Sequence, residues 1–247
     1  MELNTKEKLQ NLFNEGLVQE IFVADESYFI LQTIRKKWSQ ISKNNLGVFF
    51  KSLYHAHFIR YSLSITKLYD KTHSKYDIIS LPSVLKFISD NLIETQITNK
   101  PLTAEWLYKK GYNYNKIIEL SDKELLSLII EHFDKEIPTG DYTGNLFLER
   151  SLESIKFYRD KVYAHREDIS RDYLPKSTFE DGQSLLKFAK FFVTIFELVI
   201  FNAGYSDDGE NYILERDSTV TNNAFLRLLE KSSLIQRKDD YDDFDEE

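Results

Sequence analysis

The sequence contains no cysteine, which excludes a disulfide framework and any zinc or iron–sulfur site held by thiolates. A chain without cysteine suits a reducing compartment, and the polar stretch Met1 to Lys8 lacks the apolar core of a secretory signal, so a cytoplasmic location is expected. A membrane span is missing as well. The run Phe191 to Phe201 is interrupted by Glu197 and is roughly half of the ~20 residues needed to cross a bilayer, so it reads as a buried helix. With only 4 prolines and 8 glycines in 247 residues, and little strand-like alternation, the chain is expected to be all-α.

Familiar catalytic and metal motifs are absent too. His55 and His57 sit two apart on a helix and point about 160° from each other, so they do not share a metal. His132 lies beside Glu131 and near Asp134 without a His-Glu-x-x-His spacing, and Gly140 and Gly144 lack the Lys and Ser/Thr of a phosphate loop. No Gly-x-Ser-x-Gly elbow is present, and no metal or cofactor is expected. Positive charge is not in excess. The net charge is −8, and seven of the acidic residues fall in Asp239 to Glu247, which leaves 33 acidic against 32 basic residues. A near-neutral body neither advertises nor excludes a polyanionic ligand. The acidic run reads as a disordered, solubilising tail, with a charge mimic that shields a basic site as the alternative.

What is present is an apolar content of 42%, enough to bury a substantial core. One helical domain is expected over residues 1–236, with an insertion-like segment at about 98–143 and the tail at 237–247. The spacing predicts a helix from about Lys6 to Ser42, bent near Gly16 or Asp25, and a second from about Asn45 to Asp70. In the second, Phe50, Tyr54, Phe58, Tyr61, Ile65 and Leu68 form one buried stripe. Ser80 and Pro82 open a helix to about Ile97, Ile117 to Ile137 is helical, and Trp106, Tyr108, Tyr112 and Tyr114 read as packing. Further helices are expected from about Gly144 to His165, from a Ser177/Glu180 capping box to Asn202-Ala203-Gly204, and from about Asn222 to Lys231. The segment Glu167 to Lys176 is irregular and charged.

One position breaks the pattern. Leu148, Leu152, Ile155 and Val162 share a helix face, and at ~100° per residue Arg159 falls about 20° from Leu148, within that face. An always-charged guanidinium there must find an anion, a cleft or a partner surface. His165 follows six residues later, about 120° away on a straight helix, so the two reach one ligand only if the helix ends there or a second chain supplies the other half. The plain alternative is that Arg159 snorkels to a carboxylate and His165 is a helix-terminal cation.

The string Arg159-Asp160-Lys161-Val162-Tyr163-Ala164-His165 resembles the signature of the HEPN superfamily, and Phe157 to Arg166 is similar to its abortive-infection and prokaryotic defence branch. Leu68-Tyr69-Asp70 ending one helix, with the next at Ser80-Leu81, agrees with that branch. The resemblance implies an all-α HEPN-like bundle with additional helices and a metal-independent endoribonuclease whose site is built across a homodimer. By the same resemblance His165 is the acid/base group, Arg159 binds the scissile phosphate, and Asp160 orients them. The implied partners are RNA, a second copy of the chain, and an antitoxin or regulatory protein. Some members carry a tyrosine two residues after the histidine that an antitoxin nucleotidylates; here that position is Glu167. The rival readings are a non-catalytic HEPN-type module that binds nucleotide, RNA or protein, and a purely helical interaction protein.

Overall fold

The computed structural model describes residues 4–43, 45–71, 79–138, 144–164, 178–202 and 212–235. Among these the secondary structure is helical throughout, with no strand. The helices are α1 (Thr5–Asn11), α2 (Val18–Ser42), α3 (Gly47–Leu68), α4 (Leu81–Asp90), α5 (Lys100–Lys109), α6 (Tyr114–Ile117), α7 (Asp122–Glu136), α8 (Leu146–Phe157), α9 (Thr178–Phe196) and α10 (Tyr212–Lys231). Three wide π-helical turns interrupt or extend them: Leu12–Leu17 between α1 and α2, Tyr158–Ala164 after α8, and Glu197–Phe201 after α9. Gly16, where a bend is expected, lies in the first of these. Gly16 is required there because a Cβ would collide with the Ile79 side chain.

The stripe read on α3 is the core of the hairpin that α3 makes with α2. Tyr61, Ile65 and Leu68 are fully buried, Phe50 and Phe58 nearly so, and Tyr54 is half-buried at its edge. Across it lies α9, whose Leu185, Ala189, Phe192, Val193 and Phe196 are all buried, as its nearly all-round apolar sequence requires. The close approach of α9 to α3 needs Gly182, since a Cβ there would stand 2.6 Å from the Tyr61 hydroxyl oxygen. The segment read as insertion-like feeds the same core: Phe133 of α7 meets Phe192 at 4.9 Å and Phe196 at 5.4 Å between ring centres, and Trp106 of α5 stacks on Phe133 at 5.9 Å. Of the four aromatics read as packing, Trp106 and Tyr112 pack, whereas Tyr108 and Tyr114 are exposed and contact each other edge to face.

Several boundaries differ from the periodicity reading. α4 stops at Asp90 instead of near Ile97, because Asn91 turns its amide back to the Phe87 carbonyl and the chain then pairs outward, Thr98 donating to the Val199 carbonyl at 2.8 Å. The helix read from Ile117 to Ile137 is broken, since Ser121 and Glu124 form a capping box that starts α7 afresh. α10 begins about three turns earlier than Asn222, at Tyr212. Its Asn222 accepts a hydrogen bond from Thr33 of α2 at 2.7 Å, and Leu229 and Ile235 share a second apolar cluster with Ile34, Ile41 and Phe50. The helix ending in the third wide turn closes on Asn202, held left-handed at φ 52°. The Glu167 to Lys176 segment, Ser177 and the tail 237–247 lie outside the described residues.

Glu197, in that third turn, is mostly buried, and burial pushes its carboxyl from the ordinary 4.5 up to about 7. The folded state therefore holds this proton more tightly than the unfolded chain does. Its contribution to stability is intact below about pH 4.5 and is lost progressively as the pH rises to about 7. Glu197→Gln should flatten that decline in urea titrations across this window, and an unchanged pH slope would show that Glu197 is ionised throughout.

Candidate functional site

The second wide turn carries the signature residues. Asn145 caps α8 by accepting from the amides of Phe147 and Leu148, and α8 then buries Leu148, Leu152 and Ile155. From Tyr158 the backbone changes from i→i+4 to i→i+5 bonding, which adds a residue to each turn. Arg159 is the second residue of that turn, so the ~100° projection that put it along the apolar face is displaced only slightly there. Its side chain is 27% exposed, at the margin of the core and not within it.

Arg159 donates through Nε to Asp160 Oδ1 at 2.6 Å and through Nη2 to Oδ2 at 3.1 Å, a two-pronged grip on its sequence neighbour. Nη1 stands 3.9 Å from Asp70 Oδ1. The Asp160 hydrogen bonds hold the guanidinium pKa above its already high ordinary value, against the opposing pull of partial burial. Asp70 is positioned by its neighbour: the buried Tyr69 hydroxyl donates to the Leu185 carbonyl of α9 at 2.6 Å, tying the end of α3 beside the wide turn. Tyr158 meets Phe58 of α3 edge to face. Lys156, just before the turn, has its pKa lowered chiefly by burial, with Asp70 opposing.

The structure thus brings together Arg159, Asp160 and Asp70, the last of which sequence reasoning noted only as a helix end. His165, Arg166 and Glu167 lie outside the described residues, directly after the turn ends at Ala164. A guanidinium has five N–H donors; the two given to Asp160 leave Nη1 and one Nη2 hydrogen, a second edge that can take two oxygens of a phosphate.

Elsewhere, a cleft of about 550 Å³ between α4 and α7 has an apolar floor including Leu85 and Ile130 and a rim carrying Asp90, Glu131 and Asp134. His57 and His132 each have a pKa lowered mainly by burial, and His132 lies edge-on to Trp106, so both serve packing. Among the described residues no group of His, Asp and Glu is arranged to hold a metal ion, and no helix is long and apolar enough to cross a membrane. Sequence reasoning missed the buried pair Lys190–Asp25 at 2.8 Å, which joins α9 to α2.

A HEPN family model described as AbiU2 matches residues 6–218. No protein of curated function and no solved structure matches.

Proposed function

Since this chain belongs to the AbiU2 family of abortive-infection HEPN domains, we propose that it is a metal-independent endoribonuclease acting as a toxin or antiviral defence effector in the cytoplasm, with its site completed across a homodimer. The observation that carries this reading is the guanidinium of Arg159, held by Asp160 along one edge and with only the more distant Asp70, 3.9 Å from Nη1, facing the other, on the turn that leads into His165.

In this reading the His165 of one chain accepts the ribose 2′-hydroxyl proton, the freed oxygen attacks the adjacent phosphorus, and the bond to the 5′-oxygen breaks as that oxygen takes a proton from the protonated His165 of the second chain. The products are a 2′,3′-cyclic phosphate and a 5′-hydroxyl. A histidine of ordinary pKa near ~6.5 suits both proton transfers, and Arg159 meets the charge that develops on the phosphorane with two hydrogen bonds. Asp160 keeps the guanidinium from swinging before the phosphate arrives. A second chain supplies what one cannot, because the attacking 2′-oxygen and the departing 5′-oxygen lie on opposite sides of the phosphorus and a single His165 cannot take a proton from one while giving a proton to the other.

Cleavage should survive EDTA and leave a 2′,3′-cyclic phosphate or its opened 3′-phosphate, read by end-group analysis of a labelled RNA. The active species should scatter light as a dimer at micromolar concentration. A 3′-hydroxyl product, or loss of activity with chelator, points to metal-assisted hydrolysis instead, and an active monomer removes the composite site. One feature favours the rival reading, a non-catalytic module that binds RNA, nucleotide or a protein: two carboxylates, Asp160 and Asp70, already flank the one guanidinium and weaken its pull on phosphate.

A further inference from the structure

Charge in this chain is segregated in a way that its total conceals. Between Glu26 and Asp70 there is no acidic residue, against seven Lys and Arg, so all 40 acidic residues and only 25 of the 32 basic ones lie elsewhere. That window is the second half of α2, the connecting turn, and α3. Arg60 and Lys67 are used in ion pairs with Glu26 and Glu20, and Arg35 lies over the Phe179 ring within 3.9 Å of Glu180. Lys43 and Lys51 stand exposed at the turn end of the hairpin.

α10 adds to that end. It runs alongside α2 from the level of Thr33, where Asn222 bonds, to that of Ile41, which clusters with Leu229 and Ile235. It thereby brings exposed Arg227 and Lys231 to the turn, with Glu230 the one carboxylate among residues 219–235. Large apolar groups stand in solvent at the same end: Val48 is 82% exposed, Phe49 61% and Trp38 40%. Exposed rings interleaved with lysines match the chemistry of a single nucleic-acid strand, whose phosphates need cations and whose bases need flat apolar faces.

We propose that the α2–α3 turn end, with the end of α10, is a docking surface for single-stranded nucleic acid, in which Lys43, Lys51, Arg227 and Lys231 meet phosphates and Trp38 and Phe49 stack on bases. It deepens, and rests on, the ribonuclease reading. A membrane-surface helix needs a long outward apolar face, but the apolar stripe of α3 is turned into the core, which leaves rings only at the turn. Against the acidic remainder, a confined basic patch also orients an approaching polyanion. α3 separates this surface from Asp70 and Arg159 by ~33 Å at ~1.5 Å per residue, so one strand touching both spans at most ~10 nucleotides, the count at the ~3.4 Å spacing of a fully stacked strand.

The test uses fluorescence anisotropy with the full chain and a single-stranded DNA of ~20 nucleotides, about twice that span, which lacks the 2′-hydroxyl and so binds without being cut. The pair Lys43→Glu and Lys51→Glu should weaken binding at least ~10-fold and flatten the salt dependence by ~0.7 per lost phosphate contact. The pair Trp38→Ala and Phe49→Ala should weaken it ~10-fold or more while leaving the salt slope unchanged. All four side chains are exposed, and unchanged melting curves will confirm that the variants fold. Wild-type affinity in both double variants overturns the assignment, as does binding to anionic lipid vesicles with none to the oligonucleotide. Affinity that appears only after residues 236–247 are removed assigns the surface to this chain's own acidic run instead. Weakened binding by the variants of a protein that cuts no RNA keeps the surface and removes the ribonuclease reading; RNA cleavage with unchanged binding does the reverse.

Discussion

Arg159→Leu should reduce RNA cleavage by ~10²–10³-fold and leave the protein folded with a melting temperature close to that of the parent. The first half follows from the role of a preorganised donor: loss of one group aimed at a developing anion costs on the order of 10²–10³ in rate. The second half follows from where the side chain lies. Arg159 is 27% exposed and its partner Asp160 is 50% exposed, so the pair is screened by water and contributes at most ~1 kcal/mol. Leucine at that position abuts the end of the stripe that Leu148, Leu152 and Ile155 already bury, which offsets part of the loss. Cleavage rates and melting curves for Arg159→Leu and His165→Ala, measured side by side, separate the readings. A leucine variant that melts far earlier while keeping its activity per folded molecule would show that the arginine is a structural ion pair, equal cleavage with equal stability would remove Arg159 from the site, and no cleavage by the parent would leave the non-catalytic module.

Much of the frame around this site was legible because it depends on short-range rules. The stripe Phe50, Phe58, Tyr61, Ile65, Leu68 has helical spacing, and Ser80 with Pro82 announces the start of α4. The signature string carried the family, which the match over residues 6–218 shows. What was not legible was the wide turn at Tyr158–Ala164, which leaves no mark in composition, and the approach of Asp70 to Arg159 beside it, a contact between residues far apart in sequence. The break before α7 was legible in principle: Ser121-Asp122-Lys123-Glu124 has the same capping-box form that was read at Ser177 to Glu180. The charge pattern was lost for a different reason. A sum over the whole chain cancels the acid-free window between Glu26 and Asp70 against the acidic remainder, and only the fold shows that Lys43 and Lys51 of that window share one end of the bundle with Arg227 and Lys231. The partnership of Asp25 with Lys190 had no local signal at all, being a contact between helices far apart in sequence.

That partnership sets the largest expected effect on stability. Asp25 and Lys190 have side chains only 3% and 12% exposed, 2.8 Å apart, between α2 and α9 at the centre of the bundle. The Asp25 charge also reaches Tyr28 and Tyr61; burial is the first cause of the raised pKa of each phenol, and the Tyr61 hydroxyl has no hydrogen-bond partner among the described residues. Lys190→Met keeps the length and apolar stem of the side chain but removes the cation. The carboxylate then faces a poorly solvating interior, and breaking such a pair costs ~3–5 kcal/mol. For a chain of this size that corresponds to roughly 10 °C in melting temperature. Asp25→Leu combined with Lys190→Met should recover most of the loss, because an apolar pair of similar volume leaves no buried charge. If the single variant is as stable as wild type at neutral pH, the carboxylate has other support sufficient to hold it, and the bundle does not depend on this pair.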